Sequence, residues 1–248
     1  MTAGASASAR RRLRRLARRP TGWALAVGLV AGAAEAQVSV SLTAQSDYLL
    51  RGVSLSDGRP TLTLDVNYDD KSGFYGALSA TAVDTRNAGA EVLGFVADAG
   101  YAKRLTNGLT WDVGVTDSQI STYVDNRYVA NYAEAYGGLS RGGLAAHLYF
   151  SPDYLGESVQ TLYLDLSGSI RPADRWRLFA HAGLLAVVGG DADVLGGRDH
   201  LDFRAGVARQ FGRFEARITG SWAEPAPVYP EGVRHGHGTL VAGASVFF

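Results

Sequence analysis

The sequence predicts an all-β protein, a transmembrane antiparallel up-and-down β-barrel that follows a cleaved signal peptide. Three observations predict it. The chain opens with a basic stretch and a short apolar run, most later segments alternate between apolar and polar positions, and the last segment alternates up to the final residue, Phe248. A period of two places apolar side chains on one face of a strand, and repeated segments of about ten such residues are typical of membrane barrels.

The first 36 residues have the three parts of a secretory signal peptide. The basic part holds seven arginines, Arg10, Arg11, Arg12, Arg14, Arg15, Arg18 and Arg19. An apolar run at 22–33 follows, and Ala34, Glu35 and Ala36 then form a small-x-small cleavage site. The run is well short of the roughly 20 residues that a membrane-spanning helix needs. We therefore predict a signal peptide at 1–36 and a single mature domain, the barrel, at 37–248.

Removal of the signal changes the charge of the chain. The whole sequence has 24 basic and 24 acidic residues, and loss of seven arginines and one glutamate leaves 17 basic and 23 acidic. This mildly acidic balance argues against nucleic acid as a partner. The sequence has no cysteine, which excludes disulfides, thiolate metal sites and a cysteine nucleophile.

Twelve alternating segments predict twelve strands, although ten or fourteen are also compatible with the pattern. The segments are 38–50, 61–68, 74–83, 92–102, 109–117, 129–139, 143–151, 159–170, 175–187, 201–210, 213–222 and 237–248. Short connections are predicted at 69–73, 104–108, 140–142, 171–174 and 211–213. Long connections are predicted at 51–60, 84–91, 118–128, 152–158, 188–200 and 224–236. An even strand number with short periplasmic turns places both termini in the periplasm.

Each strand is predicted to turn its apolar face to lipid and its polar face to the lumen. In segment 92–102, for example, Leu93, Phe95, Ala97 and Ala99 are predicted to face lipid. Aromatic residues fall near the strand ends, as in the two interfacial girdles of membrane barrels. They are Tyr68, Phe74, Trp111, Trp176, Phe211, Phe214 and Phe248 near the short turns, and Phe150 and Trp222 near the long loops. The alternative is that they pack in the core of a soluble sandwich.

Charges of both signs recur at the predicted lumen positions. They are Asp65, Asp98, Asp112, Glu134, Asp165, Arg177, Asp202, Arg204, Arg213, Glu215 and Arg217. One interpretation is a pore lining whose transverse field orients and filters small solutes. The other is a set of ion pairs that fills a narrow barrel without conduction. Arg204, Arg213, Glu215 and Arg217 are expected to form one basic cluster, with Asp65, Asp98 and Asp112 facing it.

The five histidines do not predict a metal site or a cofactor. His147 and His181 are predicted mid-strand and inward, whereas His200, His235 and His237 are predicted in long loops. The loop histidines would bind a divalent metal only if the last two long loops touched, and solvated side chains are the simpler interpretation.

Several short blocks carry a family resemblance. Ser46-Asp47-Tyr48, Arg51-Gly52, Ser54, Ser56-Asp57 and Pro60 form the first block, and Ser72-Gly73-Phe74-Tyr75 continues it. Blocks 131–136 (NYAEAY) and 149–154 (YFSPDY) follow. Together these resemble the TorF-like family of outer-membrane porins over essentially the whole mature chain. The resemblance implies a barrel and a pore, but it supplies no catalytic or ligand residues.

Resemblance to bacterial outer-membrane barrels also gives the last residue a role. In such proteins a closing strand that ends on Phe is the mark shown to the machinery that folds them, and Phe248 is the corresponding position. This implies that the barrel-assembly machinery is a partner during biogenesis, and that outer-membrane lipid and lipopolysaccharide surround the folded protein. Nothing in the chain indicates an oligomeric state.

The favoured function is a porin-like channel of the bacterial outer membrane for passive diffusion of small hydrophilic solutes or ions. A non-conducting structural or adhesive barrel that acts through its long loops is the alternative. An outer-membrane lipid hydrolase fits less well, because both strand histidines are predicted inward and no nucleophile motif accompanies them. We therefore predict that the protein is not an enzyme.

Overall fold

The computed structural model describes residues 37–85, 89–121, 129–224 and 238–248, and it describes only the backbone at 129 and 130. The predicted signal peptide and its cleavage site lie outside the described residues. Within them, no helix is both long enough and apolar enough to cross a membrane.

The alternating segments form strands, separated by turns and by two single turns of 3-10 helix. The strands are β1 (Gln37–Gln45), β2 (Leu49–Leu50), β3 (Val53–Ser54), β4 (Thr61–Asp69), β5 (Phe74–Thr85), β6 (Gly89–Arg104), β7 (Thr110–Ser121), β8 (Val129–Arg141), β9 (Leu144–Ser151), β10 (Gln160–Ala173), β11 (Trp176–Gly189), β12 (Asp199–Phe211), β13 (Phe214–Ala223) and β14 (Thr239–Phe247). The 3-10 turns are Tyr154–Gly156 and Ala192–Leu195.

Twelve of these strands form a closed antiparallel barrel in the described part of the chain, which confirms the predicted fold and strand count. Each barrel strand pairs with its neighbours along the chain, and β1 closes the barrel by pairing with both β4 and β14. The last residue takes part in this closure, because the backbone N–H of Phe248 donates to the carbonyl of Val40 at 2.9 Å. Closure leaves no unpaired sheet edge.

The outer face of the barrel is apolar, as the alternation predicts. Its exposed large side chains include Val38, Leu64, Leu78, Val115, Leu148, Leu166, Leu178, Phe203, Ile218 and Leu240. Aromatic residues concentrate near the short turns, where the Tyr101 ring lies 5.1 Å from the Phe74 ring and 5.7 Å from the Trp111 ring, measured between centroids. Near the long loops, the rings of Phe203 and Trp222 lie 5.7 Å apart. Soluble monomers rarely expose so large an apolar surface.

A β-bulge corrects one predicted orientation. Thr81 pairs with Gly94 and Ala82 pairs with Val92, so Leu93 is an extra residue in β6. Leu93 was predicted to face lipid, but its side chain points inward and is 1% exposed, and Val92 takes the outward position. A bulge shifts the alternation by one residue, and the sequence does not mark it because both residues are apolar.

The connections largely follow the predicted short and long alternation. Strands longer than predicted shorten some of them, and the predicted long connection at 84–91 is only 86–88, because β5 extends to Thr85 and β6 begins at Gly89. The predicted first strand, 38–50, ends at Gln45. The residues after it turn into the barrel interior and form a small hairpin from β2 and β3, with Arg51 and Gly52 at the turn. Both turn residues have positive φ, 47° and 78°, as a tight two-residue hairpin requires.

A hydrophobic core fills the long-loop half of the barrel interior. It combines inward side chains of the wall with the hairpin and with both 3-10 turns. Its buried members are Leu55, Val83, Leu93, Ile120, Tyr132, Tyr154, Leu155, Val159, Tyr163, Leu185, Val187 and Leu195. Leu50 and Val53 of the hairpin pack against it. We call residues 46–60, which carry the hairpin into the barrel, the inner segment.

Inward aromatic rings in the wall lie over glycines of neighbouring strands. Tyr136 covers Gly114, and a Cβ added at Gly114 would lie 2.5 Å from the Tyr136 hydroxyl and 2.7 Å from the carbonyl oxygen of Ala99. Tyr75 covers Gly100 in the same way. The two tyrosine hydroxyls are 2.6 Å apart, so the rings meet over the two glycine strands. The glycines therefore provide space that these rings occupy.

Gly114→Ala tests this packing. We expect the substitution to lower the free energy of unfolding by about 1–3 kcal/mol, because the added methyl group overlaps a ring and a backbone carbonyl. Urea unfolding of the refolded barrel, followed by tryptophan fluorescence, measures it. Gly137→Ala on β8 is the control, since an added Cβ there meets nothing closer than 3.8 Å. Equal stability of the two variants would contradict the packing.

Candidate functional site

The inner segment divides the interior into two halves with different character. On its long-loop side lies the hydrophobic core. On its short-turn side lies a polar cavity of about 790 Å³. Tyr48 and Leu49 of the inner segment line one end of this cavity, and residues of the short turns, such as Gly108 and Gly142, line the other. Solute entering from the short-turn end would meet this cavity first.

Arginines from three adjacent strands line the cavity wall. Arg177 of β11, Arg204 of β12 and Arg217 of β13 point inward, as predicted. Arg177 donates two hydrogen bonds from Nη2 to the Glu215 carboxylate, at 2.8 and 2.9 Å. Arg217 donates to the side-chain oxygen of Gln45 at 3.1 Å. Arg204 makes no hydrogen bond or ion pair with a described residue.

The acidic residues of β10 and β12 are engaged with a histidine. His181 lies between two carboxylates, with Nε2 2.9 Å from Asp202 and Nδ1 3.2 Å from Asp165. The second distance is an ion-pair distance without hydrogen-bond alignment. Asp202 also accepts a hydrogen bond from the hydroxyl of Tyr163 at 2.9 Å. This buried group joins the wall of three strands and borders the arginines, because His181 and Arg204 are cross-strand partners.

The remaining predicted carboxylates also point inward and have polar partners. Asp65 accepts from Ser41 at 3.3 Å and from Ser79 at 2.6 Å. It lines a smaller cavity of about 500 Å³ together with Arg177, Glu215 and Arg217. Asp65 thus comes close to the basic cluster.

Two further carboxylates face the lumen from β6 and β7. Asp98 accepts from Tyr136 at 3.0 Å, and Asp112 lies 3.2 Å from Nε2 of His147. Neither residue lines the cavities that hold the arginines. Their partners instead come from β8 and β9, which carry Tyr136 and His147.

Two predicted positions need correction. Arg213 was predicted to face the lumen from the first position of a strand, where the predicted short connection 211–213 ends, but it lies in the two-residue turn 212–213, before β13 begins, and its side chain is exposed at the barrel rim. Gly212 has a φ of 62°, which ends β12 and removes Arg213 from the wall. His200 was predicted in a loop, but β12 begins at Asp199, so His200 lies on the strand.

His200 lines a narrow space beside Arg51 and Tyr154, and its Nε2 is buried without a hydrogen bond among the described residues. His235 and His237 lie outside the described residues. Within the described ranges, no group of three or more histidines, aspartates or glutamates is placed to hold a metal ion.

Sequence reasoning missed the group that holds the inner segment in place. The Arg51 guanidinium lies 2.7 Å from both carboxylate oxygens of Glu134 on β8. The same guanidinium stacks on the Tyr163 ring at 3.9 Å and on the Tyr154 ring at 4.9 Å. Both partners of the ion pair are nearly buried, with side-chain exposures of 11% and 5%. We call Arg51, Glu134, Tyr154 and Tyr163 the arginine socket.

Hydrogen bonds within the inner segment fix the shape that presents Arg51. The carboxylate of Asp47, which is 5% exposed, accepts from the hydroxyls of Ser54 and Ser56 at 2.6 and 2.7 Å. Asp47, Arg51, Gly52, Ser54 and Ser56 are among the residues that carried the family resemblance in the first block. A signal was present in the sequence, because Leu49, Leu50, Val53 and Leu55 give residues 46–60 more apolar side chains than a solvated loop usually has.

The geometry defines a class of protein, a closed antiparallel barrel with an apolar outer face and a charged interior. The chain belongs to the Gcw_chp family, described as a bacterial protein of unknown function, whose model matches residues 30–224. The narrower resemblance to the TorF-like family stays a prediction. No curated protein matches the chain.

Solved porins share the fold. The NanC porin superposes with a TM-score of 0.58 at 10% sequence identity, covering 86% of this chain and 100% of that chain. The KdgM porin gives 0.52 at 9% identity, covering 85% and 99%. KdgM in complex with disordered oligogalacturonate gives 0.50 at 9% identity, with the same coverage. At these identities the similarity is one of fold.

A double-mutant cycle tests the arginine socket. We expect Arg51→Ala to lower the free energy of unfolding by about 3–5 kcal/mol, because it leaves the buried Glu134 carboxylate without its partner. The double variant Arg51→Ala/Glu134→Ala should lose much less than the sum of the two single losses, since neither charge is then left alone. Urea unfolding of refolded barrels measures all four proteins. Additive losses would show that the two residues do not interact.

Proposed function

We propose that the protein is a porin-like channel of the bacterial outer membrane that admits small hydrophilic solutes or ions. The observation that carries the proposal is the charged cavity inside a closed barrel whose outer face is apolar. Hydrocarbon accepts strands only when every backbone polar group is paired, and closure satisfies this condition. The fold shared with KdgM and NanC supports the same role, and KdgM has been solved with oligogalacturonate.

The proposal includes the orientation and surroundings predicted from the sequence. The outward apolar band contacts lipid and lipopolysaccharide, the short turns and both mature termini face the periplasm, and the long loops face outward. Phe248 is the assembly signal read by the barrel-assembly machinery. Its side chain is exposed at the short-turn end, which leaves it accessible to a partner.

We further propose that passage requires the inner segment to move. On the long-loop side, the space that the described residues leave next to Arg51, His200 and Leu195 is only about 30 Å³, against about 790 Å³ for the cavity on the short-turn side. This space holds no more than a few water molecules, so a larger solute passes only if the inner segment moves. The inner segment is then the gate, and the arginine socket holds it in the closed position. The charged cavity on the short-turn side of the segment is the vestibule of the channel.

A second candidate function is a non-conducting barrel that acts through its long loops. The hydrophobic core inside the barrel is the specific observation that favours it, because a core that stays packed would block the lumen permanently. Enzyme activity is not proposed. His147 and His181 both face the interior with carboxylate partners, away from the lipid that a hydrolase of this membrane would attack.

An engineered disulfide tests the gate. A Cβ built at Gly52 lies 2.6 Å from the Cβ of Ala223 on β13, which is closer than the separation of about 3.8 Å in a disulfide, so the inner segment must shift about an ångström away from β13 to accept the bridge. The natural chain has no cysteine, so Gly52→Cys/Ala223→Cys introduces a single possible bridge. We expect single-channel recordings of the oxidised barrel in a planar bilayer to be silent, and steady conductance to appear after reduction.

The single variants Gly52→Cys and Ala223→Cys serve as controls and should not respond to reductant. Equal conductance before and after reduction would contradict the gate while leaving the channel in place. Silence in both states, from protein with β-sheet circular dichroism and heat-modifiable migration, would contradict the channel. That result would leave the non-conducting barrel as the account of the molecule.

A further inference from the structure

The cavity on the short-turn side carries an excess of positive charge. Five arginines line it, Arg104 and Arg141 near the rim and Arg177, Arg204 and Arg217 deeper in the wall. The one carboxylate in the lining, Asp47, is buried and bound to Ser54 and Ser56. The mature chain as a whole is acidic, so the positive cavity is a local arrangement that the net charge does not explain.

The deeper arginines differ in how far other protein groups compensate their charge. Arg177 is neutralised by its two hydrogen bonds to Glu215. Arg217 has only the uncharged Gln45 as a hydrogen-bond partner, and Arg204 has no hydrogen bond or ion pair in the described ranges. The acids nearest to these two arginines all have other partners: Glu215 binds Arg177, Asp65 accepts from Ser41 and Ser79, and Asp165 and Asp202 flank His181. Two guanidinium groups on adjacent strands are therefore available to a ligand.

The size and lining of the cavity suit a small polar molecule. Its volume of about 790 Å³ falls within the range of about 300–1,000 Å³ that is typical of small-molecule sites. Ser167, Ser169 and Thr219 line the same space, and their hydroxyls can donate to ligand oxygens. The inner segment closes the far end, so a ligand here is partly shielded from bulk water. Shielding strengthens its attraction to the arginines.

We propose that this cavity is a binding site for a small, multiply charged oxyanion that carries carboxylate or phosphate groups. Arg204 and Arg217 bind the anionic groups, and the hydroxyls of β10 and β13 donate hydrogen bonds to the remaining ligand oxygens. The inference rests on the proposed function, since it names the solute class that the vestibule holds. Binding needs only access from the short-turn end and does not require the gate to open.

Isothermal titration calorimetry of the refolded mature barrel in zwitterionic detergent tests the site. The probes are citrate, inorganic phosphate and the neutral trisaccharide raffinose. We expect citrate to bind more tightly than phosphate, and raffinose not to bind. Arg204→Ala and Arg217→Ala should each weaken citrate binding at least about tenfold, which is the loss of one charge-assisted hydrogen bond. Added salt should weaken it further.

Arg209→Ala is the matched control, because Arg209 belongs to the same strand as Arg204 but stacks on Trp176 and Phe211 of the outer face. It should leave the citrate dissociation constant within about twofold. Binding of raffinose as tight as that of citrate would overturn the proposal, as would unchanged citrate binding by folded Arg204→Ala.

Failure of the site and failure of the channel give different results. The oxidised Gly52→Cys/Ala223→Cys barrel should bind citrate as the reduced form does, because the cavity lies on the open side of the gate. Citrate binding by a barrel that never conducts would sustain the site and reject the channel. Conductance by a barrel that binds no citrate would reject the site alone.

Discussion

Closure of the barrel by β1, which pairs with both β4 and β14, is the constraint on which the rest of the structure depends. It satisfies the backbone hydrogen bonds that lipid cannot, and it fixes the strand number at twelve. A barrel of about eight strands has an interior that its own side chains fill, and the diameter grows with each added strand. A twelve-stranded barrel therefore encloses space that wall side chains alone do not occupy. Here that space is divided between a packed core and a charged cavity.

The inner segment makes this division, and buried polar contacts hold it in place. The charge of Arg51 is compensated by Glu134 and by two tyrosine rings, while the Asp47 carboxylate holds the segment in shape from within. Removing the charge of either Arg51 or Glu134 leaves the other charge buried without its partner, which strongly destabilises the folded barrel. Leu50, Val53 and Leu55 of the segment pack in the core of the long-loop half, and the arginines of β11, β12 and β13 line the other half. The inner segment thus forms the proposed gate, and the wall of β11, β12 and β13 lines the proposed vestibule.

Alternation alone predicted most of the wall. Strand number, the inward side chains of Asp65, Asp112, Glu134 and His181, and the outward apolar face all follow from a period of two. The misses have local physical causes. The bulge at Leu93 shifts the alternation without a sequence mark, and the turn at Gly212 removes Arg213 from its strand. The sequence did not predict the arginine socket, because it joins Arg51 and Glu134, 83 positions apart, through a connection that was predicted only to be long and that folds into the barrel.

The most direct test of the divided lumen is the reactivity of single introduced thiols toward a polar, membrane-impermeant maleimide. Arg204→Cys places a thiol in the charged cavity, and Leu55→Cys places one in the hydrophobic core, where the native side chain is 5% exposed. In refolded barrels we expect labelling at position 204 to be fast and labelling at position 55 to be at least about tenfold slower, because it requires local opening of the core. Equal rates at the two positions, in barrels shown to be folded, would contradict the division of the interior by residues 46–60.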